Sequence, residues 1–352
     1  MLVVAPSSMA AMVADTGHAF RAGGEPAEEE IAPLREQLVQ LPPVEAAVVG
    51  NGELFGRLAT QAMLPEMAHA VAEWCPDLVL REPCEHASTL VAARHGVALA
   101  QVAISAAQSE WAAISTAAAA LSQLGADVEA QMRTMPYLSA FPEALDPSPF
   151  PVTTRFHTPR RSPAPLPEWW GGAGGPLVYV TFGTVLGYMS IAAEVYRTAL
   201  EAVAALDVRA LLTVGHRFDP AALPPMPGHV HVEAWVDQDR VFAEADLVVC
   251  HGGSGTVNGA LFAGVPMVTV PFFADQFDNA RRIADAGAGL TVEAVERRRR
   301  TNGAVDMGDL AAAITDALAS TALGRQARDI GRQMAATPEA DAVVADLLRG
   351  CS

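Results

Sequence analysis

Leu247-Val248-Val249-Cys250-His251-Gly252-Gly253-Ser254-Gly255-Thr256 is the stretch that decides how this chain reads. Four apolar residues in a row mark a buried strand. The run stops at a histidine and two glycines, and Ser254 can N-cap a following helix. A strand that ends in a glycine turn and opens a helix is a unit of a parallel α/β sheet, where ligands sit at the carboxyl ends of strands. Glycines at that end let backbone N–H groups approach a phosphate, and the helix N-terminus adds partial positive charge. The spacing departs from the dinucleotide fingerprint, because Asn258 stands where a third glycine is wanted. Taken alone, the glycines also fit a tight turn with no ligand.

Working outward, Pro271-Phe272-Phe273-Ala274-Asp275-Gln276-Phe277-Asp278-Asn279 follows the next strand. Two acids and two amides there suit sugar hydroxyls, which need both donors and acceptors. Upstream, Ala234-Trp235-Val236-Asp237-Gln238 closes another strand with an aromatic that can stack on a base, although a core aromatic is the equal alternative for Trp235. Phe182-Gly183-Thr184 ends the first strand of this half with a second glycine turn. Asp237 and Asp239 form a D-x-D pair, but Asp237 reads as the start of a helix, so no metal site is expected.

The α/β rhythm runs through both halves. Strands are expected over 2–5, 77–82 and 97–103, then over 177–182, 208–213, 229–233, 247–250, 265–270 and 289–292. Helices fill the intervals, including 53–74, 87–95, 111–132, 192–205, 254–262 and 275–285. Proline and glycine crowd residues 145–176, the best boundary. The expected organisation is an N-terminal domain over 1–150, a linker over 151–176 and a C-terminal domain over 177–335. A helix in 336–352 is expected to pack back on the first domain.

The totals agree with two domains: 352 residues, of which 51% are hydrophobic. A net charge of −17 repels phosphate backbones and anionic lipid, which argues against nucleic acid and membrane-surface partners. The longest uncharged stretch, 247–274, carries His, Asn, Pro and many Gly, so it reads as α/β core and not as a span. All 23 basic residues are Arg. That excludes P-loop, Schiff-base and protein-kinase chemistry, each of which needs a lysine. The four cysteines show no CxxC pair and no metal-ligand spacing, as in a reducing cytoplasm.

The stretch 249–290 resembles the donor-binding signature of family 1 glycosyltransferases, most of all the bacterial members that decorate macrolides, enediynes and aromatic polyketides. The glycine turn and the acid-amide segment lie in the right order after Trp235-Val236-x-Gln238. The resemblance extends weakly over the first half. It implies the GT-B fold, two Rossmann-like doubly wound parallel-sheet domains facing a central cleft. It implies an inverting transfer without metal or cofactor, from a dTDP- or UDP-sugar to a hydrophobic aglycone, and is compatible with a homodimer. By resemblance, Trp235 stacks on the pyrimidine, Val236 bonds it through the main chain and Gln238 reaches the ribose. His251 with Gly252, Gly253, Ser254, Gly255 and Thr256 binds the diphosphate, Gly183 and Thr184 lie near the phosphates, and Asp275 and Gln276 hold the sugar.

One departure concerns catalysis. The family begins with a strand, a loop carrying the histidine that deprotonates the acceptor, and a helix. Met1 aligns with the family's second strand, so that histidine is not expected in residues 1–352. His18 falls where the family has an apolar residue. Glu82, Glu85 and His86, just after a strand, are better placed to serve as a base. A donor-binding protein with impaired transfer is therefore the alternative to an active transferase.

Overall fold

The computed structural model describes residues 1–351 except 125–126, 160–164, 171–173, 190, 273–274 and 293–306. The arginine run at 297–300, read from sequence as a solvated face, lies outside the described residues. The chain divides into two compact units. One comprises 1–139, 147–156 and 339–352, and the other 140–146 and 157–338. The division is thus not a single linker at 151–176. Residues 147–156 join the first unit because they carry a strand of its sheet, and the helix Ala340–Gly350 clusters with that unit.

The first unit holds β1 (Leu2–Ala5), β2 (Ala19–Ala22), β3 (Leu78–Arg81), β4 (Ala98–Val102), β5 (Tyr137–Ser139) and β6 (Thr153–Arg155). They form two separate parallel sheets, β1-β2 and β3-β4-β5-β6. The sequence reading missed β5 and β6, which have three residues each, too few for a period to register. It also expected one helix over 53–74. Instead a helix at Pro43–Val49 continues through a π-helical stretch, Gly50–Ala59, into the helix Thr60–Trp74. Packing accounts for the glycine at 56 in this stretch: a Cβ there would come within 2.9 Å of the Ala120 Cβ on the helix Ala107–Gln123. Close approach of that helix therefore selects glycine here.

The second unit holds β7 (Leu177–Thr181), β8 (Arg209–Thr213), β9 (Val230–Glu233), β10 (Leu247–Cys250), β11 (Met267–Thr269) and β12 (Gly289–Thr291). They form one parallel sheet in the order β12-β11-β10-β7-β8-β9. Core clusters lie on both of its faces. One is built on Val178, Val180, Val249 and Ile314, the other on Tyr179, Val248, Leu261 and Ile330. Alternate residues of β7 and β10 serve opposite clusters, as the period of two requires.

Candidate functional site

The strand order reverses between β7 and β10, so the loops leaving these two neighbours diverge to opposite sides. A crevice at the carboxyl end of the sheet follows from that topology. The register sets Thr181 opposite Cys250, which places the turn at Gly183 beside the turn at His251. A cavity of about 550 Å³ opens there. It is lined by Gly183, Thr184, Trp235, Val236, Gln238, His251, Gly253, Ser254, Gly255, Thr256 and Gln276, all expected from sequence. Gly252 and Asp275, also expected from sequence, are not among its lining residues.

Three glycines shape the turn by excluding a Cβ. Gly183, at φ 73°, lies against the His251 ring, and a Cβ there would meet its Nε2 at 2.8 Å. A Cβ on Gly253 would meet the same Nε2 at 2.3 Å. The imidazole is thus clasped between two backbone segments. Gly252, at φ 84°, faces the Gln276 carbonyl, and a Cβ there would meet its oxygen at 2.9 Å. A residue with a side chain would be strained at Gly183 and Gly252 and would displace the ring at Gly253. Burial pushes the His251 pKa down, against the pull of the Asp275 carboxylate and the Thr181 main chain, so the ring favours the neutral form.

The helix Ser254–Ala263 starts at this turn, and Val257 N makes its first bond, to Gly253 O at 3.0 Å. Helix geometry leaves the N–H groups of Ser254, Gly255 and Thr256 without intrahelical acceptors, facing the cavity. The Ser254 hydroxyl does not cap the helix. It donates to Asp275 Oδ2 at 2.8 Å, and Gly253 is the N-cap.

Behind the turn sits Asn279, only 1% exposed. Its Nδ2 donates to Gly252 O at 2.9 Å, to Asp275 Oδ2 at 3.1 Å and to Ser254 Oγ at 3.2 Å. It ties the glycine turn to the acid-amide segment. Gln276 is also buried, and its Oε1 accepts from Phe272 N at 2.9 Å. The polar residues at 275–279 therefore first hold the two loops together, and Asp275 and Gln276 meet a ligand only with the capacity left over.

Beneath the cavity runs a second polar chain. Gln238 Nε2 donates to Tyr179 OH at 3.0 Å, Tyr179 OH pairs with Thr213 Oγ1 at 3.1 Å, and Thr213 Oγ1 donates to Thr181 Oγ1 at 2.9 Å. Tyr179 and Thr213 escaped the site reading, and Asn279, one of the two amides expected to meet a sugar, is instead buried behind the turn. Tyr179 and Thr181 left a faint signal, two polar-tipped residues at a spacing of two within an apolar strand. Trp235 is 59% exposed, which removes the core-aromatic alternative. Its ring lies roughly parallel to His216, with centroids 6.3 Å apart. Asp237 accepts from Asp239 N and caps the helix Gln238–Phe242, so the D-x-D pair is a helix start.

The first unit does not bring its three candidates together. Glu82 and Glu85 line one cavity, and His86 lines another with Glu110 and Gln101. Burial pushes the Glu82 carboxyl pKa up, while its Oε2 accepts from Cys84 N at 2.7 Å. Glu85 accepts from Ser88 N at 3.1 Å at the start of the helix Ala87–His95. His86 is buried, and its Nδ1 lies 3.0 Å from Arg81 Nη2. A guanidinium can only donate, so Nδ1 accepts and the ring proton sits on Nε2. Burial, then the Arg81 charge, hold its pKa well down. As placed, His86 is a buried partner of Arg81 and does not present a basic nitrogen to a ligand.

Two parallel α/β units, one with a glycine crevice at the reversal of its strand order, are the architecture of GT-B glycosyltransferases. Residues 197–349, less than half of the chain, match the family described as erythromycin biosynthesis protein CIII-like, C-terminal domain. The chain is 38% identical over 146 residues to 4'-demethylrebeccamycin synthase of Lentzea aerocolonigenes, covering 40% of this chain and 33% of that protein. It thus spans about a third of the length of that curated relative. The solved spinosyn rhamnosyltransferase SpnG superposes with a TM-score of 0.78 at 21% identity, covering 98% of this chain and 91% of that one. SpnG complexed with thymidine diphosphate gives 0.76 at 20% identity, with the same coverage. The fold is that of these GT-B proteins, and residues 197–349 are similar to the EryCIII-like C-terminal domain.

Proposed function

We propose that this chain binds a dTDP- or UDP-sugar in the crevice at His251 and transfers the sugar to a hydrophobic natural-product acceptor, with inversion and without a metal ion. The observation that carries this reading is the clasped imidazole beside three open N–H groups at a helix N-terminus. In a chain without lysine, such a cradle supplies local donors for a diphosphate. It would act most strongly on the leaving group, because negative charge builds on the departing diphosphate as the glycosidic bond breaks. Trp235, exposed at the crevice rim, would carry the base. Asp275 would meet the sugar, held in place by Ser254 and Asn279. The thymidine diphosphate bound by SpnG supports dTDP as the donor carrier.

Calorimetric titration with dTDP and with UDP tests this reading, and saturable binding of at least one is expected. Absence of heat with both, from protein whose second-unit amides resist exchange, would overturn it. A second reading is donor binding without efficient transfer, favoured by the engagement of His86 with Arg81. Turnover of an aglycone that disappears on changing one identified residue of the first unit would rule this out.

A further inference from the structure

Parallel pairing of β7 with β8 sets Thr181 opposite Thr213, and Tyr179 stands two residues before Thr181 on the same face of β7. Three hydroxyls thus meet inside an otherwise apolar part of the sheet, with Tyr179 only 1% exposed. A buried hydroxyl costs free energy unless it is bonded, and apolar side chains of similar shape would fill the space without that demand. Each hydroxyl has one hydrogen to give, so the order of donors can be traced. Thr213 donates its hydrogen to Thr181 Oγ1 at 2.9 Å. Towards Tyr179 its oxygen can then only accept, and it takes the phenol hydrogen at 3.1 Å. The Tyr179 oxygen is left as an acceptor, and Gln238 Nε2 donates to it at 3.0 Å. Burial pushes the Tyr179 pKa up, which keeps the phenol protonated and the order intact.

We infer that Tyr179 and Thr213 are positioning residues that hold the amide of Gln238 with Nε2 turned inward and Oε1 turned to the crevice, so that this position takes a hydroxyl donor of the nucleotide's ribose. The inference rests on the donor-binding reading proposed above, and adds which atom of Gln238 meets the ribose and what decides it. A free glutamine amide offers a donor at one end and an acceptor at the other and can present either. Here the donor end is already engaged. Tyr179, Thr181, Thr213 and Gln238 all line the crevice, but the first three are buried and Gln238 is half-buried, open to a ligand. Its backbone is fixed as well, because it opens the helix Gln238–Phe242 just after the N-cap Asp237, whose side chain accepts from Asp239 N. The orientation of the amide is the freedom that remains, and the hydroxyl chain removes it. An end that can only accept holds a ribose hydroxyl, and faces a deoxy position with its oxygen unpaired.

The test is calorimetric titration of the 352-residue chain with dTDP and UDP, and with the 2',3'-dideoxy analogue of whichever binds. Wild type should bind the parent nucleotide roughly 5- to 10-fold more tightly than its dideoxy analogue. Tyr179→Phe removes the partner of Nε2, and Thr213→Val removes the acceptor that holds the Tyr179 hydrogen. In each variant the gap should shrink to ~2-fold or less, while affinity for the dideoxy analogue stays within ~2-fold of wild type. Thr213→Ser, which keeps the hydroxyl, should restore the full gap. Gln238→Ala, at a half-buried position, should erase it, and adding Tyr179→Phe to that variant should change nothing further. A merely structural role for the two hydroxyls would weaken both ligands together and leave the gap as it was. Equal losses of that kind, a gap that survives Tyr179→Phe and Thr213→Val, or wild type that does not distinguish the two ligands would each overturn the inference and leave the donor-binding reading standing. Failure of both parent nucleotides to bind wild type would overturn that reading itself.

Discussion

Leu2-Val3-Val4-Ala5 and Leu247-Val248-Val249-Cys250 are nearly the same four residues in different surroundings. The second set, β10, lies between β7 and β11, and all four of its side chains are at 0% exposure. The first set, β1, has one neighbour, and all four residues are only partly buried. Among the described residues both units hold six strands, but the second joins them in one sheet and the first splits them into two and four. A continuous apolar run states what a strand is suited to, which is a place with neighbours on both sides. Whether those neighbours are there is decided by the rest of the chain. The difference also bears on function, since a crevice between two central strands is held from both sides, whereas groups beside a strand with one neighbour are held from one.

The largest expected effect lies in the well-held unit. Gly253→Val places a branched side chain where even a Cβ would stand 2.3 Å from the His251 ring. Affinity for dTDP should fall at least ~100-fold by calorimetry, about 2.7 kcal/mol. Near-wild-type binding would mean that the clasp on His251 is not what holds the diphosphate. Next comes the contrast itself. In native-state hydrogen exchange, amides of β1 and β3 should exchange at least ~10-fold faster than those of β7 and β10, because opening of an edge-exposed strand costs less. Equal protection would break the comparison between the two units.

How much of this the sequence carries follows the same line. In the second unit the strands β7, β10 and β11 are fully buried apolar runs stopped by a glycine or by polar residues, and the reading located β7 to β12 and eleven of the lining residues. Legibility there comes from full burial, which leaves continuous runs, and from turns that only glycine can make, as at Gly183 and Gly252. What it could not show was the division of labour behind the turn. Asn279 and Gln276 look like sugar ligands in the sequence, yet their first partners are Gly252 O, Ser254, Asp275 and Phe272 N. In the first unit β5 and β6 are too short for a period, and the glycine at position 56 answers to Ala120 on a helix distant in sequence. The acid-base candidates illustrate a further limit. Residue type at a strand end marked His86, but only its contact with Arg81 shows which nitrogen carries the proton.

Acid should separate the units again, more weakly. Burial depresses the pKa of His86 in the first unit and of His251 in the second. The unfolded state then binds more protons between each depressed value and about 6.5, so this part of the stability is complete above about pH 6.5 and is lost as pH falls. His86 also faces the Arg81 charge, so unfolding of the first unit should shift more between pH 7.5 and 5.5. His86→Gln, which keeps an acceptor for Arg81, should flatten that shift in calorimetric scans. Glu82 and Glu110, whose pKa values burial raises, act in the opposite sense, losing stability as pH rises from about 4.3. An unchanged pH dependence in the variant would assign the effect to other groups.

The smallest expected effect is the most discriminating. Gly255 is the one glycine of the His251 turn whose added Cβ would meet nothing within 4 Å. It stands in the first turn of the helix Ser254–Ala263, so packing does not require it. Gly255→Ala should leave stability unchanged or raise it by up to ~1 kcal/mol through helix propensity. The open space beside it faces the cavity, where a diphosphate would have to approach the N–H groups, and a methyl group there should weaken dTDP binding by roughly 3- to 10-fold, or ~0.7–1.4 kcal/mol. A gain in stability together with a loss in affinity separates a glycine kept for a ligand from one kept for the fold, a separation that Gly252 and Gly253 cannot provide. Unchanged affinity would place the diphosphate elsewhere in the crevice, toward Thr184 and the turn after β7.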